Sequence, residues 1–404
     1  MEGDVIVKFF KKKGSAYVAL FTALVFLFGV FASGCGGGES KTADEDVIKV
    51  GVNFELSGDV ATYGTSCKNG IMLAFEEANA QGGVLGKKIE ALVQDNKSQN
   101  REARNIAEKL ISEGVVAILG PAVTGAVQSE EPVATAAKVP ILAPAATAPE
   151  VTYDEKNKKV KDFVFRVCII DPDQSQVMAN YIYDELGLKN GAIMVDRNND
   201  YSVGLGETFK EFFTAKGGKI VAEEGFVSTD TAFKPQLTSI AAKKPDFIYV
   251  PAYYNQVGLI VKQARELGID LPFMGADGWD SPKLVELAGA DNLNKCYFTN
   301  HYSVEDPSER IQNFIKAYEE KYKTTPDAFA ALGYDTGCLL IEAIKQAGEA
   351  DSVKIRDALE NIEGFEGVTG KLSYDEKHNP IKEISIIEIL DGKQKLVKKM
   401  QPEH

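Results

Sequence analysis

The sequence predicts an α/β protein with two doubly wound parallel-sheet lobes. Three observations carry this. Short apolar runs alternate with helical stretches in two successive series, one on each side of Pro149. Each run ends in a turn of small or polar residues, as strand-to-helix connections do. A chain of 404 residues is also long enough for two hydrophobic cores.

In the first series, residues 48–54 alternate and read as a strand, followed by a polar loop over 55–64. Residues 69–80 read as a helix with Ile71, Leu73, Ala74, Phe75 and Ala78 on its apolar face, stopped by Gly82-Gly83. Residues 88–95 form a strand. Ser98 then caps a helix to Glu113, on which Ala103, Ile106, Ala107, Leu110 and Ile111 recur at helical spacing. Two apolar runs, 115–119 and 140–142, have the character of buried parallel strands, with a helix over 124–138 between them. The turns after these strands, 120–125 and 144–149, each hold one Thr. Helix N-termini carry unpaired N–H donors and a partial positive charge, and ligands of open α/β sheets sit beyond the carboxyl ends of the strands. The two turns therefore suit a small carboxylate. Taken alone, they also match two ordinary connections.

After a Lys-rich loop to Lys161 and an extended apolar run over 163–170, the alternation resumes. Helices are predicted over 173–186, 205–215, 234–242 and 256–267, and strands over 192–195, 219–226, 247–250 and 273–275. Their strand ends carry residues 196–201, 251–254 and 276–279, so that Tyr201, Tyr253, Tyr254, Asp277 and the only Trp, Trp279, gather where a ligand would lie. Aromatic walls with one charged group suit a small amphiphile. Each of these residues taken singly also reads as loop surface or core edge. A strand over 297–301 follows. Pro307 opens a helix over 308–322, 329–347 is a longer helix, and Ser352 caps one to Glu360. Residues 371–397 alternate as strands around a turn at Asp391-Gly392.

The N-terminus reads as a targeting segment. Lys8 and Lys11 to Lys13 precede an apolar run over 17–31, shorter than the about 20 residues of a membrane span and of the length of a signal core. It ends in Ala32-Ser33-Gly34-Cys35, which resembles the lipobox of bacterial lipoproteins, with Ala32 in place of the usual Leu. The expectation is a lipoprotein signal over 1–35, a lipidated Cys35 as the mature N-terminus, and a Gly-rich tether over 36–46. An ordinary cleaved signal and an uncleaved anchor are the alternatives. Leaving out the first 34 residues, 41 basic and 57 acidic side chains remain, a net charge of −16. That disfavours nucleic acid and anionic membrane surfaces as partners. His301, His378 and His404 make no metal-binding spacing, and no cofactor is expected. Cys67, Cys168, Cys296 and Cys338 form no CxxC and read as free thiols.

Several local sequences then occur in a specific order: Leu56-Ser57-Gly58-Asp59 with Tyr63-Gly64, Leu119-Gly120-Pro121 with Thr124-Gly125, and Ala143 to Thr147. Phe165-Arg166 with Asp171, Asp200-Tyr201, Gln263-Ala264-Arg265 with Gly268, Met274 to Trp279, and Gly333-Tyr334-Asp335 follow. In that order and spacing the whole mature chain resembles the branched-chain amino-acid binding proteins. These are solute receptors of ABC importers with the type I periplasmic-binding-protein fold. The resemblance implies a hinge of three crossings, near Cys168, His301 and Gly370. Lobe 1 would then be 47–168 with 301–369, and lobe 2 would be 169–300 with 370–404. It implies that Thr124, Ala145, Ala146 and Thr147 hold the ligand's carboxylate and amino group, and that Asp277 pairs with its α-ammonium. Family members often carry Glu at that position. Tyr63, Tyr201, Tyr253 and Tyr334 match aromatic positions around the ligand, and Trp279 would close the side-chain pocket. The partners implied are an amino acid, a membrane permease and, through the lipid anchor, the membrane, with the receptor a monomer.

Other readings are a receptor for an amide, urea or aromatic acid, a sensory ligand-binding module, and a hydrolase. A sensory module normally needs a transmembrane segment or an output domain, and the mature chain shows neither. A hydrolase is disfavoured because no Gly-x-Ser-x-Gly elbow, phosphate loop or His beside a nucleophile is found.

Overall fold

The computed structural model of the chain describes residues 47–403. The expected signal, Cys35 and the tether lie outside them. The first sheet is built from β1 (Val47–Phe54), α1 (Ala61–Ala80), β2 (Lys88–Asp95), α2 (Asn100–Ser112), β3 (Ile118–Leu119), α3 (Thr124–Ala137) and β4 (Ile141–Ala143). A small hairpin, β5 (Tyr153–Asp154) and β6 (Lys159–Val160), precedes its last strand, β7 (Val164–Arg166). The order is β2-β1-β3-β4-β7, all parallel. Parallel neighbours need crossover connections, which the helices provide. β1 is buried along nearly its whole length, as a strand covered on both faces must be.

The second sheet begins after α4 (Asp171–Asn180), which widens into a π-type turn at Tyr181–Glu185. It runs β8 (Asn190–Asp196), α5 (Asp200–Ala215), β9 (Lys219–Phe226), α6 (Lys234–Ala242), β10 (Phe247–Tyr249), α7 (Tyr254–Glu266) and β11 (Phe273–Gly275). A tight turn at Asp277–Trp279, α8 (Pro282–Ala288) and β12 (Cys296–Asn300) follow. The chain returns to the first lobe with α9 (Glu309–Tyr322), α10 (Ala328–Ala347), α11 (Ser352–Glu360) and the hairpin β13 (Phe365–Gly367) and β14 (Gly370–Leu372). It then re-enters the second sheet with β15 (Ile384–Leu390) and β16 (Lys393–Met400). That sheet is ordered β16-β15-β12-β11-β10-β8-β9, with β15 and β16 as an antiparallel edge.

The passages between lobes fall between β7 and α4, between β12 and α9, and between β14 and β15. The third, expected at Gly370, comes later. Gly370–Leu372 still pairs with β13, and the backbone N–H groups of Val368 and Thr369 are held by Asp335 of α10. α10 lies along α1 at very short range. A Cβ on Gly70 would stand 2.1 Å from the Ala330 carbonyl oxygen, and one on Gly333 2.1 Å from that of Cys67.

Several helices begin earlier than their apolar periodicity indicates. α1 starts at Ala61, eight residues before the predicted 69, through the weak helix formers Thr62, Tyr63 and Gly64. Packing against the neighbouring chain decides here, as it often does for helices within proteins. α5 starts at Asp200 rather than 205, where Asn199 Oδ1 accepts from Tyr201 N. Ser98 does not cap α2. It has φ of +58°, and its hydroxyl donates to the Ser57 carbonyl (2.7 Å) while accepting from Val60 N (3.3 Å), which pins the loop before α1. Cys67, Cys168 and Cys296 are buried and Cys338 half-buried, all four free.

Candidate functional site

The segments that follow β1, β3 and β4 in one lobe meet those that follow β8, β10 and β11 in the other. Between them lies a narrow cavity of about 10 Å3. Tyr63, Thr124, Ala145, Tyr201, Tyr253 and Asp277 line it, with Ala122, Val123, Gly278 and Phe329. Most of these residues ride on the first turn of a helix or just before it. Tyr63 is on α1, Thr124 opens α3, Tyr201 is on α5, Tyr253 precedes α7 and Phe329 is on α10.

On the first wall, the turn before α3 is fixed by Glu55. Its carboxyl accepts from Ala122 N (3.1 Å) and Val123 N (3.5 Å). Burial pushes Glu55 up to about 7, against the pull of those N–H groups. Thr124 then begins α3, so this wall offers a helix N-terminus and a hydroxyl, both neutral donors.

On the second wall, Asp277 is buried at 2% exposure. Its Oδ1 accepts from the Tyr201 hydroxyl (2.8 Å) and from Gln174 Nε2 (3.0 Å). His301 Nε2 stands 3.0 Å from Oδ2. Gln174 is itself held by Thr299 Oγ1, which donates to its Oε1 at 2.7 Å, and Oε1 also accepts from Asp277 N at 3.2 Å. The carboxylate is thus clamped from three elements, and its direction is set before a ligand arrives.

The aromatic residues form a box from both lobes. Tyr63 stacks on Phe329 (4.1 Å between centroids) and Tyr201 on Tyr253 (5.1 Å), while Tyr63 meets Tyr253 edge-on (5.5 Å). Burial pushes the phenols of Tyr63, Tyr201 and Tyr253 upward, so they act as neutral donors and apolar walls. The lobes touch directly here. The Tyr63 hydroxyl donates to the Gly278 carbonyl, the Tyr254 hydroxyl to that of Asp59 (2.9 Å), and Ser281 Oγ to Thr62 Oγ1 (3.1 Å).

Four residues singled out from the sequence lie elsewhere. Ala146 turns its carbonyl to Arg166 Nη1 (2.9 Å) and packs in the lobe's core. Thr147 is not among the lining residues: it is fully buried, its carbonyl accepts from Asp171 N, and its hydroxyl is left without a hydrogen-bond partner near the Asp171 carboxyl, which burial pushes up. Trp279 does not close the pocket. In a turn of about three residues, position 279 points about 240° round from 277. The ring therefore enters the second lobe's core, and Nε1 donates to the Val250 carbonyl (2.9 Å). Tyr334 lies about 140° round α10 from Phe329. It packs on Phe314 and donates to Glu77 Oε2 (2.6 Å) outside the cleft.

Phe329, Gln174, His301 and Glu55 were not singled out by the sequence as site residues. One signal was available for His301. In the parallel pair β11–β12, Gly275 stands beside Phe298, so the residues just beyond, Asp277 and His301, share one sheet end. Phe329, as an early residue of a predicted helix, gave no such sign.

This fold of two doubly wound lobes around a cleft defines a class. The chain matches the model of the periplasmic binding protein family over residues 47–394 and belongs to that family, with the type I fold. Two solved structures give the particulars. The branched-chain amino acid transporter substrate binding protein LivJ from Streptococcus pneumoniae, in complex with isoleucine, is 38% identical. The match covers 88% of this chain and 100% of that one, with a TM-score of 0.83. A leucine binding protein, LivK, from Thermotoga maritima is 34% identical, covering 88% of this chain and 99% of that one, with a TM-score of 0.82. By sequence, the leucine-, isoleucine-, valine-, threonine- and alanine-binding protein of Pseudomonas aeruginosa is 27% identical over 86% of this chain and 90% of its own length.

Proposed function

We propose that this chain is the extracytoplasmic receptor of an ABC importer and that it holds a branched-chain amino acid between its lobes. The observation that carries the reading is the clamped, buried carboxylate of Asp277 facing the neutral donors of the α3 N-terminus across one small cavity. A zwitterion matches that division: its ammonium meets Asp277, and its carboxylate meets Thr124 and the N–H groups at the start of α3. A buried charge needs such a partner. Tyr63, Phe329, Tyr201 and Tyr253 leave an apolar, aromatic surround for an aliphatic side chain. The names of the relatives support the same ligand class. The role of these side chains is binding, and a membrane permease is the partner that receives the solute.

A thermal-shift screen of the mature protein against the amino acids, amides, urea and aromatic acids tests this. A bound ligand stabilises by about 2.7 kcal/mol at a hundred times its Kd. Leucine, isoleucine or valine should raise the melting temperature saturably. A response to amides or aromatic acids alone would overturn the amino-acid reading. The lipobox-like Ala32-Ser33-Gly34-Cys35 supports attachment of the receptor to the membrane through a lipidated Cys35.

A further inference from the structure

His301, which meets Asp277 on one side of the hinge, also borders a separate recess of about 340 Å3. The second and third passages between the lobes form its walls, with the end of β16. In one wall is Lys382, a lysine only 4% exposed. Its ammonium donates to Thr369 Oγ1 at 2.7 Å. Thr369 passes the interaction on, donating to Asp335 Oδ2 at 2.6 Å, and that carboxylate also accepts the backbone N–H groups of Val368 and Thr369. The lysine therefore meets its acid through a hydroxyl rather than directly. An ammonium has three N–H donors, and one is used. Burying a cation on such terms is costly unless a counter-charge is supplied. Burial pulls Lys382 down to about 8, which still leaves it a cation at neutral pH.

The rest of the lining adds hydroxyls and charges of both signs. Ser385 of β15 and Ser308 before α9 bring hydroxyls to the recess. Lys399 of β16 adds a second ammonium, paired with Asp306. Glu383 and Lys371, both exposed, stand at the rim with opposite charges. We infer that this hinge recess is a binding site for a small oxyanion, held by Lys382 with the Ser385 hydroxyl and with Lys399 nearby. An anion there would join the second and third connecting segments, and the site is distinct from the amino-acid cleft.

The test uses the mature protein and inorganic phosphate or sulfate, at constant ionic strength made up with chloride. Calorimetry and thermal shift should show saturable binding of the oxyanions beyond any effect of chloride. In Lys382→Met the apparent Kd for phosphate should rise at least tenfold, and in Lys382→Arg it should stay within about threefold of wild type. If Lys382→Met does not fold, Ser385→Ala decides, with an expected weakening of several-fold. Absence of oxyanion-specific binding in the wild type would overturn the inference. So would phosphate binding unchanged in Lys382→Met or, failing that variant, in Ser385→Ala.

Discussion

Asp277 shows how much chemistry one residue takes from its neighbours. Tyr201, Gln174 and His301 fix its two oxygens, so a ligand ammonium meets a carboxylate already oriented. Phe329 does the corresponding work for the apolar end. Replacing it by Leu keeps the bulk but removes the stack on Tyr63, worth about 1 kcal/mol. Phe329→Leu should weaken ligand binding about fivefold by calorimetry, while Tyr334→Phe should leave it unchanged, since Tyr334 lies outside the cleft. Glu55 carries a pH signature. Its folded pKa is raised from 4.5 to about 7, so the folded state binds the extra proton between those values. Its contribution to stability is complete below about 4.5 and is lost as pH rises through about 7. That loss amounts to roughly 3 kcal/mol. Urea unfolding at pH 5 and pH 7.5 should show a smaller drop in Glu55→Gln than in wild type. The sequence exposed Asp277, Tyr201 and Tyr253 because each lies in a segment that follows an apolar strand. It did not expose the inward turn of Trp279, since a tight turn and a broader loop look alike in composition.

At the scale of elements, the cleft is lined by the starts of helices. Strands deliver the chain to one edge, and the first turn of the next helix presents a side chain there, as with Tyr63, Thr124 and Tyr201. The alternation of strands and helices was legible in the sequence because apolar periodicity marks it. The helix starts were not, because Ala61 to Gly64 has weak helix propensity and is held by packing. This is also why Tyr63 was placed in a loop. The α1–α10 crossing depends on residues without side chains. In Gly333→Ala the new Cβ would collide with the Cys67 carbonyl of α1. Overpacking of this kind costs about 1–3 kcal/mol, and the urea midpoint should fall accordingly. An unchanged midpoint would mean that the two helices separate without cost.

Over the whole molecule, two lobes share one chain through three passages, and bonds such as Tyr63 to Gly278 join them across the cavity. The two β/α series made the two lobes legible. The third passage, expected near Gly370, is harder to read because Gly370 is a hairpin residue as well as a possible break. The proposed attachment through Cys35 is tested separately. A diacylated Cys carries two chains, enough for stable anchoring where one is marginal. Cys35→Ser should therefore move the protein out of the membrane fraction or leave an unprocessed precursor, as fractionation and immunoblotting would show. A wild type fully soluble after export would exclude the anchor. The central claim is that the cleft closes on a zwitterion through Asp277. Titration calorimetry of wild type and Asp277→Asn with the best amino acid from the screen tests it directly. Removing one partner of a buried pair costs about 3–5 kcal/mol, so the Kd should rise by roughly two to three decades or more, with the fold intact by circular dichroism. Near-equal dissociation constants in the two proteins would contradict it.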